Sequence, residues 1–230
     1  DLYDVNWEQI VNMEPDLALV LVENEPFRMQ AHKLGIETLL VDHLSMEGVL
    51  ESYDLIGERF GPEIMQTAQA RKADLEEKLQ TLQAKAESLP PVRVLICIDR
   101  TRGSGRLQNM YVAGTNPYFQ DAIRWAGGIN VAESTGISVP TVSVEGVMAM
   151  NPDVIIDLMM GLEMTHQGDA AHEQKSDTAD LTGDWKTLGN AVNAVKTGRV
   201  YVFTEDFTTI PGPRTPLFVE KLMEALHGEK

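Results

Sequence analysis

A pattern written twice along the chain constrains its fold more than any other feature. Trp7-Glu8-Gln9-Ile10-Val11-Asn12-Met13-Glu14-Pro15-Asp16-Leu17-Ala18-Leu19-Val20 returns as Val144-Glu145-Gly146-Val147-Met148-Ala149-Met150-Asn151-Pro152-Asp153-Val154-Ile155-Ile156-Asp157, each matched pair lying 137 positions apart. Each copy reads as a short helix beginning at Asn6 or Ser143, whose side-chain oxygens suit a helix N-cap. Each helix stops before its proline, and a turn leads into a buried strand. Glu8 and Glu145 fall in the first turns, where a carboxylate meets the positive end of the helix dipole. Two copies of one helix-turn-strand unit, so far apart, predict two lobes of similar build.

Between the copies the pattern alternates. Strands are expected at Leu17 to Val22 and Thr38 to Val41, with helices near Pro26 to Leu34 and Met46 to Phe60. Residues 62–88 then run without an internal glycine or proline and place Ile64, Ala68, Leu75, Leu79 and Leu82 at helical spacing. This long helix is the natural spacer, ended by Pro90-Pro91. The second lobe is expected to hold strands Val92 to Ile98, Val154 to Leu158 and Val200 to Phe203, and helices Tyr118 to Ala126, Ser143 to Met150 and Pro216 to Leu226. The division is therefore 1–61 for the first lobe, 62–89 for the connecting helix and 90–230 for the second lobe, within an α/β class. The polar stretch from Gly161 to Gly183 reads as a surface excursion.

Composition removes several functions. With 230 residues and 43% hydrophobic content the chain can bury substantial cores, but its formal charge of −16 repels phosphates and anionic lipids. Nucleic acid is excluded as a partner. The single cysteine, Cys97, lies in an apolar run, so no internal disulfide forms and a buried thiol is expected. No stretch has the roughly 20 apolar residues of a membrane helix. The opening Asp-Leu-Tyr-Asp-Val is not a secretory leader, so any signal segment is absent from this sequence.

Particular segments carry a family resemblance. Trp125-Ala126-Gly127-Gly128-Ile129-Asn130-Val131-Ala132, Pro140-Thr141-Val142-Ser143-Val144-Glu145, and Gly198-Arg199-Val200-Tyr201-Val202 followed by Pro211-Gly212-Pro213-Arg214 are the most specific. With Trp7 to Val20 and Lys33 to Val41, they resemble the cobalamin, haem and ferric-siderophore binding proteins of bacterial ABC importers. The resemblance implies two Rossmann-like lobes with parallel sheets, joined by a single helix, and a ligand held in the cleft between them. It also implies a periplasmic or lipid-anchored location and an ABC permease as partner. Family members carry a further strand-helix-strand stretch before the position matching Asp1, so the first lobe is expected to be incomplete, with homodimerisation as one way to cover its open surface. Glu8 matches a glutamate that pairs with permease arginines in the cobalamin-binding relatives. A second such glutamate falls in the family a few residues before the position of Arg214. This chain has Thr208-Thr209 there, leaving Glu205 just upstream as the candidate.

In open α/β sheets ligands lie beyond the carboxyl ends of the strands. The loop after the first strand offers Asn24 and Phe27. The loop after Ile98 offers Arg100, Arg102 and Arg106, three arginines within seven residues of an acidic chain, suited to carboxylates or phosphates. Tyr111 follows that loop and Phe207 follows the last strand; flat aromatic faces suit a macrocycle or catecholate. The bland alternatives are a solvated basic loop and ordinary packed aromatics. Gly103-Ser104-Gly105 is no dinucleotide fingerprint, because Gln108 stands where the third glycine belongs. His166 and His172, with Glu163, Asp169 and Glu173, lack the spacing that preorganises a metal site, so neither a metal nor another cofactor is implied. No nucleophile elbow, zinc-protease helix or Walker loop occurs. The expected function is a solute receptor that captures a metal chelate or corrinoid. A nitrogenase-like or chelatase-like enzyme subunit with the same two-lobed plan is the alternative.

Overall fold

The computed structural model describes residues 5–102, 104–159 and 182–228. They divide into two compact units, with the boundary between Lys72 and Ala73. The first unit runs α1 (Trp7–Asn12), β1 (Ala18–Leu21), α2 (Glu25–Lys33), β2 (Thr38–Val41) and α3 (Met46–Phe60), then enters α4 (Pro62–Glu87). Helix starts are written in the sequence: Asn6, Asn24 and Ser45 each accept a first-turn backbone N–H through the side chain. Strands β1 and β2 pair in parallel, Ala18 opposite Thr38 through Leu21 opposite Val41. Helix α3 packs closely at its own end, where a Cβ on Gly57 would come within 2.8 Å of the Met65 Cα in α4. Gly61, at φ 96°, makes the turn between these helices.

Helix α4 crosses from one unit into the other and buries Ala68, Leu75, Leu79, Leu82 and Ala86. The second unit continues with β3 (Val92–Thr101), β4 (Gln108–Val112), α5 (Pro117–Trp125), β5 (Gly128–Asn130), β6 (Thr141–Val142), α6 (Val144–Met150) and β7 (Val154–Leu158). After a 3-10 segment at Gly183–Ala191 come α7 (Asn193–Lys196), β8 (Val200–Phe203), a 3-10 turn at Asp206–Thr208 and α8 (Thr215–His227). The sheet order is β6-β4-β3-β7-β8, with β5 paired to the first residues of β3. The α/β class is as expected, but this sheet is mixed. Strands β3, β5, β7 and β8 are parallel, whereas β4 runs antiparallel to both β3 and β6.

The mixed sheet arises because β3 is longer than its apolar run. Asp99, Arg100 and Thr101 continue the strand beyond Ile98, and the chain returns through Gly105, at φ 67°, into β4. Met110 and Val112 of β4 alternate inward, which is the period of a half-buried strand. Along one face of the sheet Leu95, Cys97, Met110, Val112 and Ile155 pack with Trp185, Leu188 and Val192. A second cluster sets Tyr118, Phe119 and Phe203 around Phe218, with ring centroids 5.9, 6.2 and 6.5 Å from it. Buried Asn130 ties the loop after β4 to β5: its Nδ2 donates to the Ala113 and Gly114 carbonyls and its Oδ1 accepts from Ala132. Strand β7 is buried along its whole length, as a central strand covered on both faces must be.

The two repeat copies take one local form. Asn6 caps α1 and Ser143 caps α6. Glu14 and Asn151, the matched residues before each proline, both adopt positive φ, 47° and 41°, to turn the chain into β1 and β7.

Candidate functional site

In the second unit the ends of β3 and β7 hold a buried ion cluster. The Arg100 side chain is 1% exposed; its Nε donates to Asp157 at 2.7 Å and its Nη1 to Asp184 at 2.6 Å. Trp185 donates its indole N–H to Asp157 at 2.8 Å and lies 5.6 Å beneath the Arg100 guanidinium. Arg102 adds a second cation: its Nη2 reaches Asp157 at 3.4 Å and the Leu158 carbonyl at 2.6 Å, and its Nη1 reaches Asp99 at 2.9 Å. Two arginines thus face two buried aspartates, and the interior carries no net charge. Burial works against the charged form of Arg100, but the charges and hydrogen bonds of Asp157 and Asp184 outweigh it and raise its pKa. Beside the cluster, Cys97 is buried; loss of solvent and then the Asp157 charge push its thiol pKa up, so it stays protonated.

The sequence candidates fall in different settings. Arg100 lies in a strand and its guanidinium is spent inside the unit, a correction to its reading as a loop cation. Arg102 is partly exposed, and its Nε is buried without an acceptor among the described residues. Arg106 is exposed beyond the strand. Tyr111 belongs to β4 and not to a loop; it sits opposite Asp99 and is 43% exposed. Phe207 lies in the 3-10 turn after β8, and its carbonyl accepts from the Tyr118 hydroxyl. In the first unit, the Asn24 Oδ1 is occupied as the cap of α2, and Phe27 is half-buried against Trp7, ring centroids 4.7 Å apart.

The carboxylates separate equally clearly. Glu8 and Glu145 are exposed in the first turns of α1 and α6. The Glu145 backbone N–H and the Ser143 hydroxyl hold its carboxyl below the usual range. Glu205 is held in place instead, bonded to Lys221 and to the Thr204 backbone N–H. Burial raises its pKa, but Lys221 together with the backbone N–H groups of Glu205 and Thr204 outweighs this, and the net direction is down. His166, His172, Glu163, Asp169 and Glu173 lie outside the described residues. Among the described residues no group of three or more His, Cys, Asp or Glu side chains is placed to hold a metal ion.

Residues 3–207 match the family described as periplasmic binding protein. The chain belongs to that family. An uncharacterized ABC transporter substrate-binding lipoprotein of Bacillus subtilis is 26% identical over 98% of this chain, which spans 66% of that protein. The vitamin B12-binding protein of Vibrio vulnificus is 22% identical over 96% of the chain and 72% of its own length. Among solved structures, the periplasmic heme-binding protein of a Roseiflexus species in apo form has a TM-score of 0.75 at 23% identity, covering 97% of this chain and 80% of that one. The fold is therefore that of the two-lobed periplasmic binding proteins. Among the described residues no helix is long and apolar enough to cross a membrane.

Four residues of this arrangement, Asp157 in β7, Asp184 and Trp185 in the 3-10 segment and Glu145 in α6, are not among the sequence candidates for the site. Asp157 was visible as the one acid closing an apolar strand, and buried charges need partners. Asp184 and Trp185 carried no pattern of their own. Glu145 was marked by its match to Glu8. Replacing Arg100 with Met leaves Asp157 and Asp184 short of a cation, and a broken buried pair costs about 3–5 kcal/mol. Urea denaturation is expected to show that loss for Arg100→Met, against a change within about 0.5 kcal/mol for the exposed Arg106→Gln. Equal stabilities would contradict the cluster's role.

Proposed function

We propose that this chain is the solute receptor of an ABC importer, taking a metal chelate or corrinoid with the loops at the carboxyl ends of its strands and passing it to a permease. Family membership, with relatives described as binding vitamin B12 and heme, is the observation that carries this reading. The location that goes with it is the periplasm or the outer cell surface. The division into a lobe at 1–61, a connecting helix at 62–89 and a lobe at 90–230 belongs to the same proposal. The chelatase-like alternative finds less support, since the one cysteine is buried and protonated and could not ligate a cluster without leaving the core.

Within this reading Arg106 and Arg102 are the cations offered to an anionic ligand, Tyr111, Phe207 and Phe27 the aromatic faces, and Asn24 a polar contact through its amide nitrogen. Arg100 fixes the end of β3 that leads into Arg102 through its bonds to Asp157 and Asp184. Calorimetric titration with hemin, cyanocobalamin and a ferric hydroxamate tests it. Hemin presents two propionates and cyanocobalamin no net charge, so Arg106→Gln is expected to weaken hemin about tenfold, or about 1.4 kcal/mol, and to leave cyanocobalamin unchanged. Hemin affinity equal to that of the parent would remove Arg106 from the site. Failure of all three probes to bind would remove the ligand class.

The docking carboxylates are proposed to be Glu8 and Glu145, not Glu8 and Glu205. They are repeat mates in the same exposed first-turn position, whereas Glu205 is tied to Lys221. Charge reversal of either, Glu8→Arg or Glu145→Arg, is expected to leave ligand affinity intact and to lower uptake through like-charge contact with a basic permease surface. Uptake equal to the parent's would count against docking at that residue.

A self-associating form is the finer reading for oligomeric state. Leu19 and Leu21, on one side of β1, are 57% and 38% exposed, and a second copy would cover the same patch on both partners. Light scattering on a sizing column is expected to give a dimer at tens of micromolar in this chain and a monomer for Leu19→Lys/Leu21→Lys. A monomer in both would rule the dimer out.

A further inference from the structure

The repeat gives each unit the same helix, yet the two helices are anchored differently. In α6, Val147 is fully buried and Val144 and Met150 pack on the core cluster of the second unit. The matched residues of α1 are Ile10, Trp7 and Met13. Helix α1 has no buried residue, and Met13 is 69% exposed. A six-residue helix is far below the length that holds together unaided in water, so its order depends on what its ends touch. Among the described residues two side-chain contacts bear on its first turn. Asn6 accepts the Gln9 N–H at 3.0 Å, and the Trp7 ring meets the Phe27 ring at 4.7 Å with the planes at 40°.

Phe27 is not part of a core. It sits in the first turn of α2, where Asn24 caps its backbone N–H at 3.3 Å, directly after the loop that follows β1. That loop lies at the carboxyl end of the strand, the end where open α/β sheets take ligands. Trp7 in turn precedes Glu8 by one residue. A line therefore runs from Asn24 of the β1–α2 loop through the two aromatic rings to the helix that carries the exposed Glu8, all within the first unit.

We propose that the Trp7–Phe27 pair couples occupancy of the β1–α2 loop to the order of α1, and so to the presentation of Glu8. Trp7 is a positioning residue in this scheme, and Phe27 is the ring that a ligand covers. A ligand packed on Phe27 shields the aromatic pair from water and restricts both rings, and α1, held by that pair, frays less. Glu145 stands on a helix already fixed in its core and does not respond. One carboxylate reports the loaded state and its repeat mate serves as a constant anchor. The proposal rests on the reading that the β1–α2 loop touches the transported ligand.

Hydrogen–deuterium exchange on the whole chain, followed by mass spectrometry, tests it with hemin, cyanocobalamin and a ferric hydroxamate as probes, each at a concentration that saturates binding. A bound probe is expected to slow exchange across residues 9–14 by about threefold or more, the lower range of what an aromatic pair contributes, while residues 147–151 keep their rate. Trp7→Ala is expected to abolish the slowing with probe still bound, and Trp7→Phe to restore it. A bound probe that leaves residues 9–14 unchanged, or a slowing that persists in Trp7→Ala, overturns the coupling and leaves the receptor reading standing. Binding of none of the three overturns both.

Discussion

The contact of Arg100 with Asp157 and Asp184 is the interaction on which the second unit depends. Asp157 is fully buried at the end of the central strand β7, where an unpaired carboxylate would not be tolerated, and Arg100 comes from the neighbouring strand β3. Because Arg100 must reach inward, β3 continues as a strand past its apolar residues. That continuation carries Asp99 into register with Tyr111 and brings Arg102 onto Asp157 and the Leu158 carbonyl. Asp184 and Trp185, from the chain that follows β7, close the cluster on its other side. The acidic and basic groups cancel, so the strand ends keep a dense set of charges in the interior without the cost of a net buried charge. Toward the surface at this end of the sheet lie Arg106, the partly exposed Arg102 with its partner Asp99, and the Tyr111 ring.

The repeat shows how one local sequence can serve two purposes. Capping residue, first-turn glutamate, positive-φ residue and proline recur, and both copies fold as helix, turn and parallel strand. The difference lies in the two apolar positions of the helix. Val144 and Val147 fit against a six-stranded sheet with its own helices, while Trp7 and Ile10 belong to a unit whose described sheet has two strands. A larger ring at the first position reaches sideways to Phe27 where a valine would find no partner.

Much of this was legible in the residues. Helix α3 and strands β2, β7 and β8 begin and end where their patterns do, because each is bounded by a cap, a proline or a polar run and has a clean period. The long helix α4 was equally plain. The reading failed where polarity on the page does not mean exposure. Asp99-Arg100-Thr101 has the composition of a loop but continues β3, since Arg100 is buried by ion pairing and not by being apolar. Gln108, Asn109 and Tyr111 hid strand β4 by pointing outward. Trp185, fully buried, follows directly on a polar stretch and was not assigned to the core. For the site, the aromatic and basic candidates were found by their place after strands, but which arginine is spent internally depends on Asp157 and Asp184, distant in sequence and invisible to any local pattern.

The ion cluster is the claim from which the rest follows, and a double-mutant cycle on Arg100→Met and Asp184→Asn measures it directly. Residues in a shared buried network show interaction energies well above the additivity limit. The account predicts that the two single losses of stability exceed the loss in the double mutant by about 1.5 kcal/mol or more, because each single change strands the other charge. Losses that add within about 0.5 kcal/mol would contradict it, and would mean that Arg100 and Asp184 do not hold one another in the folded protein.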